Sequence, residues 1–218
     1  MDVLFDLNGT LLDPAALTAD WPGATRDLGP SVLDLAVAQA MTDTMTGQFG
    51  PFPAYIRAAL AYHAAVAGLG DEHVDAGASA ARALPPFPDS EAALRRLTQA
   101  GHRVSTLTNS AEDAARHALE QAGLAGFMHA VIGADAVGAY KPDPRVYRLA
   151  LERLQAAPGR TWLVAGHWWD VTGAKRAGLR TAWVARHEGV LLVTTPPPDV
   201  TGADLGTVAG EIVAGADQ

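Results

Sequence analysis

Residues 3–10 read Val-Leu-Phe-Asp-Leu-Asn-Gly-Thr, a short apolar run that stops at Asp6 and turns at Asn8-Gly9. A run of that length bounded by a glycine turn predicts a buried strand with its polar group at the carboxyl end. The pattern recurs down the chain. Val104 to Leu107 stops at Thr108-Asn109-Ser110, Ala130 to Ile132 is a third run, and Trp162 to Ala165 leads into Gly166-His167-Trp168-Trp169-Asp170; Thr181 to Val184 makes a fifth. Between them lie helical stretches. Ser90 is expected to cap the first, which Gly101 ends; Ser110, with Asp113 three residues on, is expected to cap the next, which Gly123 closes. Asp143 is the expected cap of a third, with Pro144 in its first turn. Strands alternating with helices of about a dozen residues predict parallel pairing through right-handed crossovers, an α/β doubly wound, Rossmann-like sheet.

Residues 14–84 have a different texture. Ala-rich helical stretches at 31–46 and 54–67 are broken by Gly47, Gly50, Pro51, Pro53, Gly68 and Gly70, and no strand is expected there. Pro85-Pro86-Phe87-Pro88 then reads as a stiff linker returning the chain from this block. The expected organisation is a helical cap, 14–88, inserted after the first strand of a catalytic core formed by 1–13 plus 89–218. In open sheets of this kind a ligand lies outside the carboxyl ends of the strands. Asp6, Thr108, Asn109, Lys141 and Asp170 all fall at or just past such ends, so they converge on one rim that the cap would roof.

Composition narrows the chemistry. The chain has 218 residues, 49% of them hydrophobic and 18% charged, which suits a globular protein with its own core. It contains no cysteine. Disulfides, thiolate zinc sites, iron–sulfur clusters and a cysteine nucleophile are therefore excluded. A formal net charge of −8 without a dense basic run argues against a nucleic-acid or membrane partner and for a small molecule. The chain opens Met1-Asp2-Val3 with no basic n-region, and no apolar run approaches the roughly 20 residues that cross a bilayer, so the expectation is a cytoplasmic protein. Of 16 basic residues only Lys141 and Lys175 are lysines. A lysine in Lys141-Pro142-Asp143-Pro144 departs from the habit of the chain.

Each polar residue has a bland reading beside a chemical one. Asp6 in a Gly-Thr turn is either a turn-forming carboxylate or a nucleophile able to form an ester with carbon or an acyl phosphate. Thr108 and Asn109 either cap the following helix or donate hydrogen bonds to an anionic substrate. Lys141 can keep Asp6 ionised and offset substrate charge, whereas Lys175 reads as a solvated surface lysine. Asp170 either caps a helix or orients and deprotonates a water. Phe52, Trp168 and Trp169 are core residues or the walls of an apolar pocket, and His167 stands evenly between packing and the site.

Four motifs taken together tilt these choices: Phe5-Asp6-Leu7-Asn8-Gly9-Thr10-Leu11, Leu107-Thr108-Asn109-Ser110, Tyr140-Lys141-Pro142-Asp143-Pro144-Arg145-Val146-Tyr147 and Trp169-Asp170-Val171-Thr172-Gly173-Ala174. In this order they resemble the haloacid dehalogenase superfamily over the whole chain, and the last two look most like the type II 2-haloacid dehalogenases. The resemblance implies a hydrolase with an Asp6 nucleophile, assisted by Thr108, Asn109, Lys141 and Asp170. Leu7, Asn8, Thr10, Phe52, His167 and Trp169 would meet a small anionic substrate. It also implies a homodimer, since relatives are often dimers. No cofactor is required on this reading. The alternative within the superfamily is a phosphatase with Mg2+ on Asp6, Asn8 and Asp170, and a further one is a non-catalytic binding protein. Phosphatases carry a second aspartate where Asn8 stands and a further acid where His167 stands. An amide exchanges no proton at neutral pH, and a departing halide needs none. The dehalogenase pattern has its own departures. Its cap arginine is missing, since no arginine occurs between Arg26 and Arg57. Asn8 replaces the usual tyrosine, and Ala165 and His167 replace a serine and an asparagine.

Overall fold

A computed structural model describes residues 1–215. In chain order the elements are β1 (Asp2–Phe5), α1 (Leu28–Met45), α2 (Phe52–Ala67), α3 (Asp71–Ala80), α4 (Ser90–Gln99), β2 (Arg103–Thr108), α5 (Glu112–Gln121), β3 (Ala130–Gly133), α6 (Pro144–Leu154), β4 (Thr161–Ala165), α7 (Trp168–Arg176), β5 (Arg180–Val184), β6 (Val200–Gly202) and α8 (Leu205–Ala214). All six strands are parallel, in the order β3-β2-β1-β4-β5-β6. This is the doubly wound sheet expected from the alternation of strands and helices. Every residue of β1 and of β4 is buried, because parallel strands are covered on both faces.

The strand order reverses at β1. Phe5 pairs with Thr106 of β2 on one side and Val164 of β4 on the other, so Asp6 emerges at the switch point, where crossovers leave in opposite directions. Helices α1 to α3 occupy the interval between β1 and α4, the helix that leads into β2. Helix α1 buries Val32, Leu33, Ala36, Val37 and Ala40, and α2 buries Phe52, Tyr55, Ile56, Ala59 and Leu60, the spacing of one helical face in each. Pro85 to Phe87 is more than a stiff linker. Asp13 N donates to Pro85 O at 2.8 Å and Phe87 N to Leu11 O at 2.9 Å, so the returning chain is stitched to the outgoing one. Among the described residues no helix is long and apolar enough to cross a membrane.

The local expectations divide. Asp143 caps α6 as expected, accepting from Arg145 N at 2.8 Å, with Pro144 at the first helical position. Ser90 does not cap α4: Asp89 stands at that position, and Ser90 Oγ donates to Leu11 O at 2.8 Å instead. Ser110 does not cap α5, which starts at Glu112 behind Ala111. Its backbone N donates to Thr108 Oγ1, and its hydroxyl accepts from Asn8 Nδ2. Asp170 does not cap α7 either. His167 holds that position, and Asp170 lies two residues into the helix with its side chain fully buried. The sixth strand and α8 were not expected, because β6 is only three residues long and follows Pro196-Pro197-Pro198.

Candidate active site

Asp6 leaves β1 with both carboxylate oxygens held. Thr10 Oγ1 donates to Oδ2 at 2.7 Å and accepts from Gly166 N at 2.9 Å, which links the β1 turn to the end of β4. The turn requires Gly9: its φ is +84°, and a Cβ there would lie 2.5 Å from the His167 ring. Lys141 Nζ, fully buried, donates to Asp6 Oδ1 at 2.8 Å, to Leu107 O at 2.8 Å and to Asp170 Oδ2 at 2.5 Å. Three acceptors thus saturate the three protons of the ammonium. Asp170 Oδ1 accepts from Tyr147 OH at 2.7 Å.

These contacts set the charges. Burial pushes Asp6 up, but the attraction of Lys141, with help from His167, outweighs it and holds the carboxylate below its ordinary range. Burial pushes Lys141 down, and Asp170 and Asp6 more than reverse that. Asp170 is raised, because burial and the repulsion of Asp6 exceed what Lys141 returns. Of the two carboxylates, Asp6 is the one held toward its anionic form.

A narrow crevice opens over this cluster. Asp6, Asn8, Thr108, Asn109, His167 and Trp169 line it from the sheet side, and Leu33, Val37 and Phe52 close it from α1 and α2. Asn109 Oδ1 accepts from Lys141 N at 2.9 Å, while its Nδ2 is buried without a partner, a donor left for a ligand. His167 stacks on Trp169 with ring centroids 5.1 Å apart. Its Nε2 lies 3.0 Å from Asn8 O and 3.8 Å from Asp6 Oδ2. Nδ1 faces Glu188 Oε1 at 3.8 Å, beyond hydrogen-bond reach, so Glu188 acts on it through charge. Burial alone would depress this imidazole; Glu188, Asp6 and the Asn8 carbonyl win and raise it to about 9. These neighbours favour the protonated imidazole.

Most of the residues singled out in the sequence meet here. Asp6, Asn8, Phe52, Thr108, Asn109, His167 and Trp169 line the crevice, with Lys141 and Asp170 directly behind it. Two do not. The Leu7 side chain is fully buried in the core, and its carbonyl closes the turn by accepting from Leu11 and Leu12 N; Thr10, also fully buried, serves Asp6 and does not face the crevice. Two contributors went unnoticed. Tyr147 lies inside a quoted motif, one helical turn past the Asp143 cap, and Glu188 follows the carboxyl end of β5, where the rule that located the other residues applied equally. Among the described residues no arginine lines the crevice; Arg26 and Arg186 border the groove beside it, and Arg186 is bound to Asp89 and Thr10 O.

Asp6, Asn8 and Asp170 are a poor set for magnesium. The Lys141 ammonium stands between the two carboxylates, Tyr147 occupies the other Asp170 oxygen, and the Asn8 amide nitrogen donates to Ser110. Among the described residues no group of three His, Cys, Asp or Glu could hold a metal ion.

Residues 3–178 match the family model of haloacid dehalogenase-like hydrolases. Haloacetate dehalogenase H-2 of Moraxella sp. (strain B) is 29% identical over 91% of this chain and 92% of its own length. (S)-2-haloacid dehalogenase 4A of Burkholderia cepacia is 30% identical over 84% of this chain and 82% of its own. The structure of the L-2-haloacid dehalogenase from Xanthobacter autotrophicus with chloropropionic acid covalently bound superposes with a TM-score of 0.86 at 25% identity, covering 97% of both chains.

Proposed function

Since this chain belongs to the haloacid dehalogenase-like hydrolases, we propose that it hydrolyses the carbon–halogen bond of small 2-haloacids through an ester on Asp6. The observation that carries the reading is the Asp6–Lys141–Asp170 cluster, which holds the Asp6 carboxylate toward its anionic form at the floor of a crevice. The curated relatives and the covalently loaded neighbour support it.

The steps follow from the charges. An Asp6 oxygen attacks the carbon bearing the halogen; the C–O bond forms as the C–X bond breaks, and halide leaves with its electron pair. Thr108 and the free Nδ2 of Asn109 face the crevice as hydrogen-bonding groups for the anionic substrate, and the imidazolium of His167 adds positive potential on the same side. Water then adds at the Asp6 carboxyl carbon, releasing a 2-hydroxy acid and one proton and restoring the carboxylate. On this reading Asp170, with both its oxygens bonded and no exposed surface, stands behind Lys141 and holds the ammonium against Asp6. Leu33, Val37 and Phe52 over the crevice support the division into a core of 1–13 plus 89–218 and a cap of 14–88.

The phosphatase alternative is less favoured, since the donor set does not suit magnesium and Asn8 offers no proton to a leaving alkoxide. The test is halide release from 2-chloropropionate in EDTA, by wild type and by Asp6→Asn, with circular dichroism to establish folding. One halide per 2-hydroxy acid, insensitive to chelation and lost in Asp6→Asn, is expected. Phosphate release dependent on added magnesium, without halide release, would overturn the reading.

A further inference from the structure

The hydrolytic half of the reaction needs a proton where the first half does not. A halide leaves unprotonated, but the oxygen released when the Asp6 ester is cleaved is the alkoxide of a 2-hydroxy acid, a far stronger base. The two Asp6 oxygens are placed differently. Oδ1 faces Lys141, which is fully buried, and Oδ2 faces His167, a wall of the crevice. A substrate in the crevice therefore meets Oδ2, and the ester forms there. Proton donors around Oδ2 are few. Thr10 Oγ1 donates to it, but an alcohol is a poor acid, and Lys141 gives its protons to Oδ1, Leu107 O and Asp170. His167 Nε2 lies 3.8 Å away, about 1 Å short of hydrogen-bond reach.

We infer that His167 is the acid of this second step, its Nε2 proton passing to the departing ester oxygen, with Glu188 as its positioning residue. The inference rests on the dehalogenase reading and deepens it. Nε2 carries a proton because the group 3.0 Å from it is the Asn8 carbonyl, which only accepts. Glu188 accepts from Trp168 N at 3.0 and 2.9 Å, which anchors its carboxylate at the start of α7 and 3.8 Å from Nδ1. The charged groups that face the ring are Asp6 past β1, Asp34 of α1 and Glu188 past β5; Lys141 stands behind Asp6, His187 lies within 3.8 Å of Asp34, and Arg186 is bound to Asp89. Carboxylates thus approach from three elements and favour the second proton of the ring. In-line displacement puts the halide opposite the attacking oxygen, so a group beside Oδ2 serves the ester and not the halide. The asparagine that the dehalogenase pattern carries at this position has no acidic proton to give.

The step balances. Water adds at Asp6 Cγ and sheds one proton to solvent; the Cγ–Oδ2 bond breaks with its electron pair on Oδ2, and the Nε2 proton turns that oxygen into the hydroxyl of the product. The water oxygen, now in the Asp6 carboxyl, still carries the second proton, which returns to Nε2 and leaves Asp6 a carboxylate and His167 charged.

The test follows 2-bromopropionate through the first turnover and the steady state, by quenched-flow bromide release and intact-protein mass. His167→Asn, with folding checked by circular dichroism, should release one bromide per enzyme and then turn over about 100-fold more slowly than wild type, with a 1-carboxyethyl group retained on Asp6. Wild-type steady-state kcat should fall as pH rises through about 9, where the imidazolium is lost. In Glu188→Gln that limb should move to lower pH, and in His167→Asn it should vanish. Turnover near wild type in His167→Asn, or a loss of turnover without a first equivalent of bromide, would overturn the acid; a Glu188→Gln limb at the wild-type pH would overturn the role of Glu188. Bromide absent from wild type would overturn the dehalogenase reading, and the acid with it.

Discussion

The two sides of the Asp6 carboxylate are built on opposite principles. Behind it every hydrogen-bonding group is used: Lys141 has three acceptors, Asp170 has Lys141 and Tyr147, and Thr10 bridges Asp6 to Gly166. In front of it groups are left short: Asn109 Nδ2 has no partner, and His167 Nδ1 has only a distant carboxylate. A buried network that is complete resists change, whereas an incomplete one is where a ligand gains by binding. On the proposed reading, the inner half sets the charge of the nucleophile and the outer half meets the substrate.

The most damaging way to break this division is to remove the inner cation. Lys141→Met leaves two buried carboxylates facing each other, and losing one partner of a buried pair costs about 3–5 kcal/mol. Urea unfolding should register that loss at pH 7 together with absent turnover, and the deficit should shrink at lower pH as the orphaned carboxylates take up protons. An unfolding midpoint unchanged at pH 7 would refute the account of the inner half.

The outer half answers differently. His167 is raised from 6.5 to about 9, so it binds a proton more tightly folded than unfolded. Its contribution is fully present below about pH 6.5 and is lost as pH rises through about 9. Comparing wild type with His167→Asn cancels groups common to both. The stability gap should be constant below pH 6.5 and narrow by on the order of 3 kcal/mol by pH 9 and above. A gap independent of pH would mean that His167 is neutral and serves packing alone.

A control outside both halves has the smallest effect. Asp143 caps α6 two residues past Lys141 yet touches neither Asp6 nor Asp170. Asp143→Ala should cost about 1 kcal/mol in thermal or urea unfolding and leave kcat unchanged. A large fall in kcat would show that the site extends into the cap of that helix.

The sheet and the inner half were legible in the sequence for one reason. Short buried strands ending in polar residues mark the carboxyl rim, so Asp6, Thr108, Asn109 and Asp170 announced themselves by position, and Lys141 by being a lysine in an arginine-rich chain. Which oxygen each would hold was not legible. Ser90, Ser110 and Asp170 each had the residue type and spacing of a cap, but each is spent on a partner far along the chain or across the site, as with Ser90 on Leu11 and Asp170 on Lys141 and Tyr147. Local patterns predict local bonds, and tertiary demand redirected these three. No motif surrounds Glu188, so the sequence carries no local signal for it, although β5 delivers it to the same rim.

The stitching of Asp13 to Pro85 and of Leu11 to Phe87 has a consequence for descent as well as for folding. Where the helical block departs from the sheet and where it rejoins are held one hydrogen bond apart, so to the sheet the whole excursion is a closed gap. The cost of closing a chain loop grows only as the logarithm of its length, about 0.6 kcal/mol for a doubling. A lineage could lengthen, shorten or exchange everything between those two rungs at little expense to the strands, and so revise what covers Asp6 while the nucleophile, its lysine and their geometry stay untouched.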